Sequence, residues 1–454
     1  MTLTAEQVVR RVREAGVVGA GGAGFPTYKK LEAKVEHVIA NGAECEPLLQ
    51  KDRETMLQDR DAFFRGLAIM REVTGAKVVT IAVKRKNEDV VDGFQKEAEA
   101  EGFKTLVYED VYPAGDEYIL VYEITGRQIP PGGIPLAVGA VVDNVETIVN
   151  IARAVDGQPV TQKYLTICGE VKESVTTVIP VGTSIGDCLQ YLAGGCTTDN
   201  PVVLTGGLMM GGVAKGLSDP VTKNIGGLIV LPSDHYLVQR KTQPRETYTR
   251  IGHGQCDQCS MCTELCPRYI LLCPRYILGY PIEPHRVMRT LLMTGEAKER
   301  GSLWAQYCCE CNICSLIACP ETLDPKNICV DAKKLLRENR LGRTEAELKT
   351  LFREPHPTRK GREIPIKTLY TRLGLTPYDR KPHFQRFDWQ PKSVTLPLAA
   401  HVGAPAKPTV KEGDRVRRGD VIGTVDENQL GCPIHASIDG RVTAVTQRTI
   451  EITA

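Results

Sequence analysis

The feature that most constrains this chain is a pair of cysteine runs within residues 256–320. Cys256, Cys259, Cys262 and Cys266, the last followed by Pro267, have the spacing C-x2-C-x2-C-x3-C-P. Cys308, Cys311, Cys314 and Cys319, followed by Pro320, repeat the pattern with one extra residue before the last cysteine. Loops this short converge three thiolates on one iron–sulfur cube, and the proline turns the chain away after the fourth, so the pair of runs points to two [4Fe–4S] clusters. Structural zinc also uses C-x2-C pairs, and disulfides are the other ordinary use of cysteine. Zinc, however, takes four ligands per site and rarely draws on three evenly spaced cysteines ending in Cys-Pro.

In two-cluster ferredoxins the fourth cysteine of each run ligates the other cluster. On that pattern Cys256, Cys259, Cys262 and Cys319 hold one cluster, and Cys308, Cys311, Cys314 and Cys266 the other. Residues 265–271 (Leu-Cys-Pro-Arg-Tyr-Ile-Leu) recur at once as 272–278, so Cys266 and Cys273 compete for one role. Spacing favours Cys266 and leaves Cys273 a spare thiol, although a seven-residue step is about two helical turns and would point Cys273 in a similar direction on a helix. Cys309 and Cys329 are expected as bystanders.

Eleven of the sixteen cysteines lie between 256 and 329, a clustering that suits metal binding and a reducing compartment. At 454 residues the chain is long enough for about three domains. Its 57 basic and 55 acidic side chains leave a net charge of +2, which gives no ground for a nucleic-acid partner or an anionic lipid surface. The first residues read as a short amphipathic helix, not a signal peptide, and no run approaches the ~18 apolar residues of a membrane span. A soluble or peripheral cytoplasmic protein is expected.

Along the chain, Gly19-Ala20-Gly21-Gly22-Ala23-Gly24-Phe25-Pro26-Thr27 with Lys29 and Lys30 behind it is a weak phosphate-loop signal. A strand over 35–40 leads to Asn41-Gly42-Ala43-Glu44-Cys45-Glu46-Pro47. A helix near 53–73, a strand over 76–83, a helix near 88–101 and a strand over 104–108 continue an alternating α/β pattern, which places ligands at the carboxyl ends of its strands. Tyr112-Pro113-Ala114-Gly115-Asp116-Glu117 and, after a strand over 138–142, Asp143-Asn144-Val145-Glu146-Thr147 complete the set.

Those four ordered segments resemble the flavin-bearing subunit of respiratory complex I and its relatives. The resemblance implies FMN held by Gly19, Gly22, Lys30, Asn41, Glu44, Gly115, Asp116, Asn144 and Thr147, with Phe25, Glu46 and Glu117 near NADH. The chain departs from that family's usual pattern at Ala20 and Ala43. Residues 161–231 change to short strands around a helix at 181–192 and look like the β-grasp (SLBB) module that follows the flavin domain in the same family. Met209-Met210-Gly211-Gly212 is expected as loop packing, and Cys168, Cys188 and Cys196 as small buried hydrophobes. Residues 336–394, rich in charge and proline, read as an extended surface linker with one or two short helices. The last sixty residues resemble the barrel-sandwich fold of biotinyl and lipoyl carriers, but Asp426-Glu427-Asn428-Gln429 stands where the modified lysine would, so a structural or docking module is expected, with His435 in a turn.

The expected fold class is multidomain α/β and α+β: a Rossmann-like flavin domain over 1–155, a β-grasp domain over 160–235, a helical ferredoxin-like segment over 245–335, the linker, and a barrel-sandwich domain over 395–454. That order most closely resembles the cobalamin reductases of propanediol-utilization microcompartments; the RnfC-type components of Rnf electron-transport complexes share the modules but carry the barrel at the N-terminus. The resemblance implies NADH-dependent reduction of cob(III)alamin and cob(II)alamin, with an adenosyltransferase and microcompartment shell proteins as partners. No Asp-x-His-x-x-Gly segment identifies a corrin in the residues themselves, and the chemistry calls for no protein nucleophile or acid–base dyad. The other readings are a soluble electron donor to a different acceptor, such as an amino-acid reductase, and a non-catalytic scaffold.

Overall fold

The computed structural model describes residues 3–263 and 273–454. Helix Ala5–Glu14 opens at Thr4, whose hydroxyl and the Gln7 side chain bond each other's backbone N–H groups in a reciprocal cap. Strands β1 (His37–Gly42), β2 (Val78–Lys84), β3 (Lys104–Tyr108), β4 (Val111–Tyr112) and β5 (Ala140–Asn144) follow. Four of them form one parallel sheet in the order β3-β2-β1-β5.

A parallel sheet buries both faces, and the strand sequences allow it because neither face is polar. Val38, Ala40, Val79 and Ile81 pack with Phe63, Leu67 and Ile148 of helices Arg60–Thr74 and Val145–Val155. The intervening residues Ile39, Ala82 and Val142 pack on Leu120 and Val121 of helix Glu117–Thr125. The carboxyl ends of β1 and β5 therefore open at one edge, where loops 43–47 and 112–117 arrive.

A second, six-stranded mixed sheet is built on Gln162–Gly169, Val175–Pro180, Pro201–Thr205 and Gly227–Pro232, with Gly212–Val213 at one edge. The helix expected over 181–192 is shorter: one turn, Ile185–Asp187, capped by Ser184, then a wider π-type turn Cys188–Leu192. Cys168 and Cys188 are buried and Cys196 is partly so. Helices Arg245–Gln255, Pro284–Arg289, Gly295–Ser302 and Pro325–Glu338 flank the loops that hold the described cysteines of the two runs. The chain ends in two small antiparallel sheets, one of Ser393–Pro397, Thr449–Thr453, Gly440–Val445 and Arg415–Val416, the other of Lys407–Pro408, Val421–Thr424 and Ile434–His435.

Residues 336–394 are more than a surface linker. Ile364–Pro365 pairs with β4, His383–Phe384 forms the other edge of the six-stranded sheet, and Ile364, Ile366, Leu369, Leu373 and Leu375 are buried. These side chains share one apolar cluster with Leu48 and Tyr112, with Leu204 and Ile229, and with Ile313 and Leu316. One core thus joins the first sheet's loops, the second sheet and the second cysteine loop. His435 lies in a buried strand instead of a turn: its ring is packed beneath Gly16 and Lys223, and burial lowers its affinity for a proton to a pKa of about 3. Among the described residues no helix is long and apolar enough to cross a membrane.

Candidate functional site

The glycine loop, the end of β1, loop 112–117 and the start of helix Val145–Val155 converge. Asn41 holds two loops together: its amide donates to Gly115 O at 2.9 Å and its oxygen accepts from Ala43 N–H at 3.2 Å. A side chain at Gly115 would stand 2.9 Å from Ala43 O, so the backbones can approach this closely only with glycine there. Asp116 caps helix Glu117–Thr125, accepting from Tyr118 and Ile119 N–H, and its second oxygen meets Arg275 at 2.9 Å. Asn144 caps helix Val145–Val155 through Glu146 N–H and donates to Asp52 at 2.9 Å. Thr147 Oγ1 accepts from Ala20 N–H at 3.0 Å, fixing the glycine loop to that helix.

Charge is concentrated in this pocket. Lys30 bonds Asp143 at 2.8 Å and Val142 O at 2.7 Å. Lys51 pairs with Asp52 and faces Glu146, and Lys163 donates to Glu146 at 2.5 Å and to Ala20 O at 3.0 Å. Burial lowers Lys163 to a pKa of about 8, and burial together with the Asp52 charge raises Glu44 to about 8. Burial likewise raises Glu117 and Asp143 against the pull of Lys30. Glu46, expected beside the nucleotide, accepts from Met209 and Met210 N–H at 2.8 Å each. Its carboxylate ties the second sheet's glycine-rich loop to loop 43–47, which is the packing role expected of that loop. Gly19 N–H bonds Phe25 O at 2.9 Å, closing the glycine loop, and a side chain at Gly22 would meet open space.

The two cysteine runs share an unusual backbone. Gln258 and Ser260 flank Cys259 at φ +60° and +65°, and Glu310 and Asn312 flank Cys311 at +61° and +66°. Left-handed residues on both sides of the middle cysteine turn successive N–H groups inward, the concave arrangement that binds anions and iron–sulfur centres. The match also aligns Cys308, not Cys309, with Cys256. The charges felt by Cys262 come from Cys319, Cys256 and Cys259, so Cys319 lies beside the first run. Those felt by Cys314 come from Cys308, Cys262, Cys273 and Asp324. Cys266 lies outside the described residues. Cys309 and Cys329 are close neighbours of the second set, bonding Cys311 and Cys308 respectively.

Among the described residues no three His, Cys, Asp or Glu side chains converge tightly enough to hold one metal ion. A zinc ion needs its sulfurs about 2.3 Å from one point, whereas a cube keeps its thiolates apart on separate irons. Burial raises the thiols of Cys262 and Cys314, and their neighbours raise them further. Such an array ionises only against a cationic centre, and the spread of the described thiols, no three of them on one point, fits a polynuclear cluster. The Cys308–Cys314 loop lies inward: Tyr112 Oη donates to Cys311 O at 2.8 Å, and Asn312 donates to Met209 O at 3.1 Å. The other run lies outward, with Cys259 exposed.

Three family models divide the chain: a Nuo51 FMN-binding domain matches residues 12–153, a 4Fe-4S dicluster domain 255–324, and an RnfC barrel sandwich hybrid domain 383–454. The cobalamin reductase PduS of Salmonella typhimurium is 40% identical over 453 residues, which cover 100% of this chain and 97% of that protein. The chain belongs to the cobalamin reductase PduS family. The C component of the proton-translocating ferredoxin:NAD(+) oxidoreductase complex of Clostridium ljungdahlii is 31% identical over 286 residues, 61% of this chain and 59% of that one. The fold is shared with an NAD+-reducing [NiFe]-hydrogenase crystal structure, with a TM-score of 0.50 and 18% identity over 75% of this chain and 63% of that one.

The pocket of this PduS-family chain fits the polar part of a flavin. Asp143 Oδ2 is buried without a partner and can accept from a ligand hydroxyl or N–H, and Lys30, Lys51 and Lys163 set cations around the loop, paired with Asp143, Asp52 and Glu146. Lys51, Asp52, Lys163 and Arg275 line the same pocket and were not singled out from sequence, because their contacts with Glu146, Asn144 and Asp116 join residues remote in the chain and no local motif marks such a pairing.

Proposed function

We propose that the chain is an NADH-dependent reductase of cob(III)alamin and cob(II)alamin, working in or on a bacterial microcompartment with an adenosyltransferase as its neighbour. The observation that carries this reading is the likeness to a cobalamin reductase over flavin, cysteine and barrel parts together, in one order and at full length. Bound FMN takes two electrons from NADH and gives them up singly, and [4Fe–4S] clusters carry single electrons.

The residues supply position and potential. Gly19, Gly22, Lys30, Asn41, Glu44, Gly115, Asp116, Asn144 and Thr147 hold the flavin, and Phe25 and Glu117 border the nucleotide. Glu46 acts indirectly, as the clasp between loop 43–47 and residues 209–210. Two clusters occupy the inner and outer cysteine sets. The first sheet is the Rossmann-like flavin domain, the six-stranded sheet a β-grasp module and the helical part a ferredoxin-like unit. Tyr112 braces the inner set against the flavin loops and Asn312 against the second sheet's glycine-rich loop, a fixed separation being what efficient transfer demands.

Anaerobic optical spectroscopy tests the reading. NADH should bleach the flavin and cluster bands, and hydroxocobalamin should restore them over many turnovers as cob(II)alamin appears. Bleaching without recovery would remove cobalamin as the acceptor, and no bleaching would remove NADH.

A further inference from the structure

The duplicated heptapeptide offers two cysteines for one position, and the second, Cys273, lies among the described residues. Pro274 starts helix Pro274–Ile277 in the first turn, where its missing N–H costs nothing. Arg275 is buried, 2.9 Å from Asp116 Oδ2 and with its guanidinium 3.3 Å from the centre of the Tyr118 ring. Ile277, Leu278 and Tyr280 are core residues, and Tyr280 Oη donates to Ile129 O at 2.6 Å. The backbone of this copy is therefore locked to the flavin domain.

Two observations place the Cys273 thiol. Its N–H bonds Thr263 O at 3.4 Å, so Cys273 stands directly beside the end of the first run, where the x3 spacing would put a fourth cysteine. Its side chain packs with Cys308 on the apolar group formed by Leu278, Tyr280 and Ile282. Cys311 and Cys314 also lie within electrostatic reach of Cys273, as do Cys308 and Cys309. Three cysteines of the inner loop need a fourth thiolate, and Cys273 is beside all three.

We infer that Cys273 is the fourth ligand of the inner cluster, with Cys308, Cys311 and Cys314, and that Cys266 is dispensable. This rests on the two-cluster reading above. Spacing along the chain favours Cys266 when residues are counted from Cys262; the contacts of Cys273 across the fold favour Cys273.

The test measures iron and acid-labile sulfide per chain, the reduced-state EPR spectrum and FMN content in anaerobically purified full-length protein. Cys273→Ser should lose about half the iron and one EPR signal while keeping FMN, because one of two four-iron clusters is gone. Cys266→Ser and Cys309→Ser should keep both signals. Deleting residues 266–272 restores C-x3-C-P spacing between Cys262 and Cys273 and should also leave iron undiminished. If Cys273→Ser also sheds its flavin, Cys266→Ser decides: full iron supports the assignment and half refutes it. Retained iron in Cys273→Ser, or lost iron in Cys266→Ser or Cys309→Ser, overturns it. An unsubstituted protein without iron instead defeats the two-cluster reading itself.

Discussion

Glu44 is a buried carboxyl whose nearest charges are Asp52, Lys51 and Lys86, and whose oxygen accepts from Asp52 N–H at 3.3 Å. Burial and Asp52 raise it from 4.5 to about 8. Between those two values the folded chain holds a proton that the unfolded chain has released, so stability falls as pH rises through that window. Lys163, lowered to about 8, acts with the opposite slope above that pH. Within the window Glu46, Glu117 and Asp143, also raised by burial, share the slope of Glu44, and His435, lowered to about 3, opposes it, so the comparison with a variant isolates the Glu44 part. In flavin-free protein, Glu44→Gln should therefore flatten the decline of Tm between about pH 5 and about pH 8, closing a difference of about 2 °C or more. Thermal unfolding across that range in both proteins is the check, and parallel profiles would contradict the assignment. Neither sign nor size was legible in the sequence, because Glu44 owes its state to Asp52 and to burial, and its motif specifies only the carboxyl.

At the scale of elements, strands and motifs were legible where the signal is local. The strand expected over 104–108 is Lys104–Tyr108, and the others in the first sheet fall within about two residues of expectation, because runs of Val, Ile and Ala bounded by polar turns declare a buried strand. What stayed hidden was pairing across the chain. Ile366, Leu369 and Leu373 do have helical spacing, but charge and proline on either side masked it, and Ile364 finds its ladder partner only on β4. The barrel's docking was equally invisible. Gly16, at φ +68°, lies where a side chain would be 2.7 Å from Pro433 O and 2.8 Å from Lys223 Nζ, and Val402 N–H bonds Gly24 O at 3.1 Å. The barrel thus buttresses the back of the glycine loop. Gly16→Ala meets both a strained backbone and two close contacts, at a cost of about 1–3 kcal/mol. It should lower Tm and speed tryptic cleavage at exposed Arg386, releasing a C-terminal fragment; an unchanged digestion pattern would show that the barrel is held elsewhere.

Over the whole molecule, one apolar cluster fixes the inner cysteine loop to the flavin loops and the second sheet, while the other run faces outward. Cys311 and Cys314 are buried beneath Asn312, Met209 and the Tyr112 hydroxyl, whereas Cys259 is exposed and Cys256 and Cys262 are partly so. Oxidants reach sulfur and iron in proportion to exposure, so the two clusters should not decay together. During timed exposure of the anaerobic protein to air, iron should fall first to about half, with the EPR signal assigned to the Cys256, Cys259, Cys262 and Cys319 set disappearing while the other persists. Cys259→Ser supplies the reference, because it removes that outer signal without touching the inner loop. Loss of the inner signal first would mean that solvent reaches the second set by a route the packing around Tyr112 does not close. Simultaneous loss would mean that the shared arrangement of the two runs, in which Cys262 faces Cys314 and Cys319 crosses to the first set, makes the pair one cooperative unit.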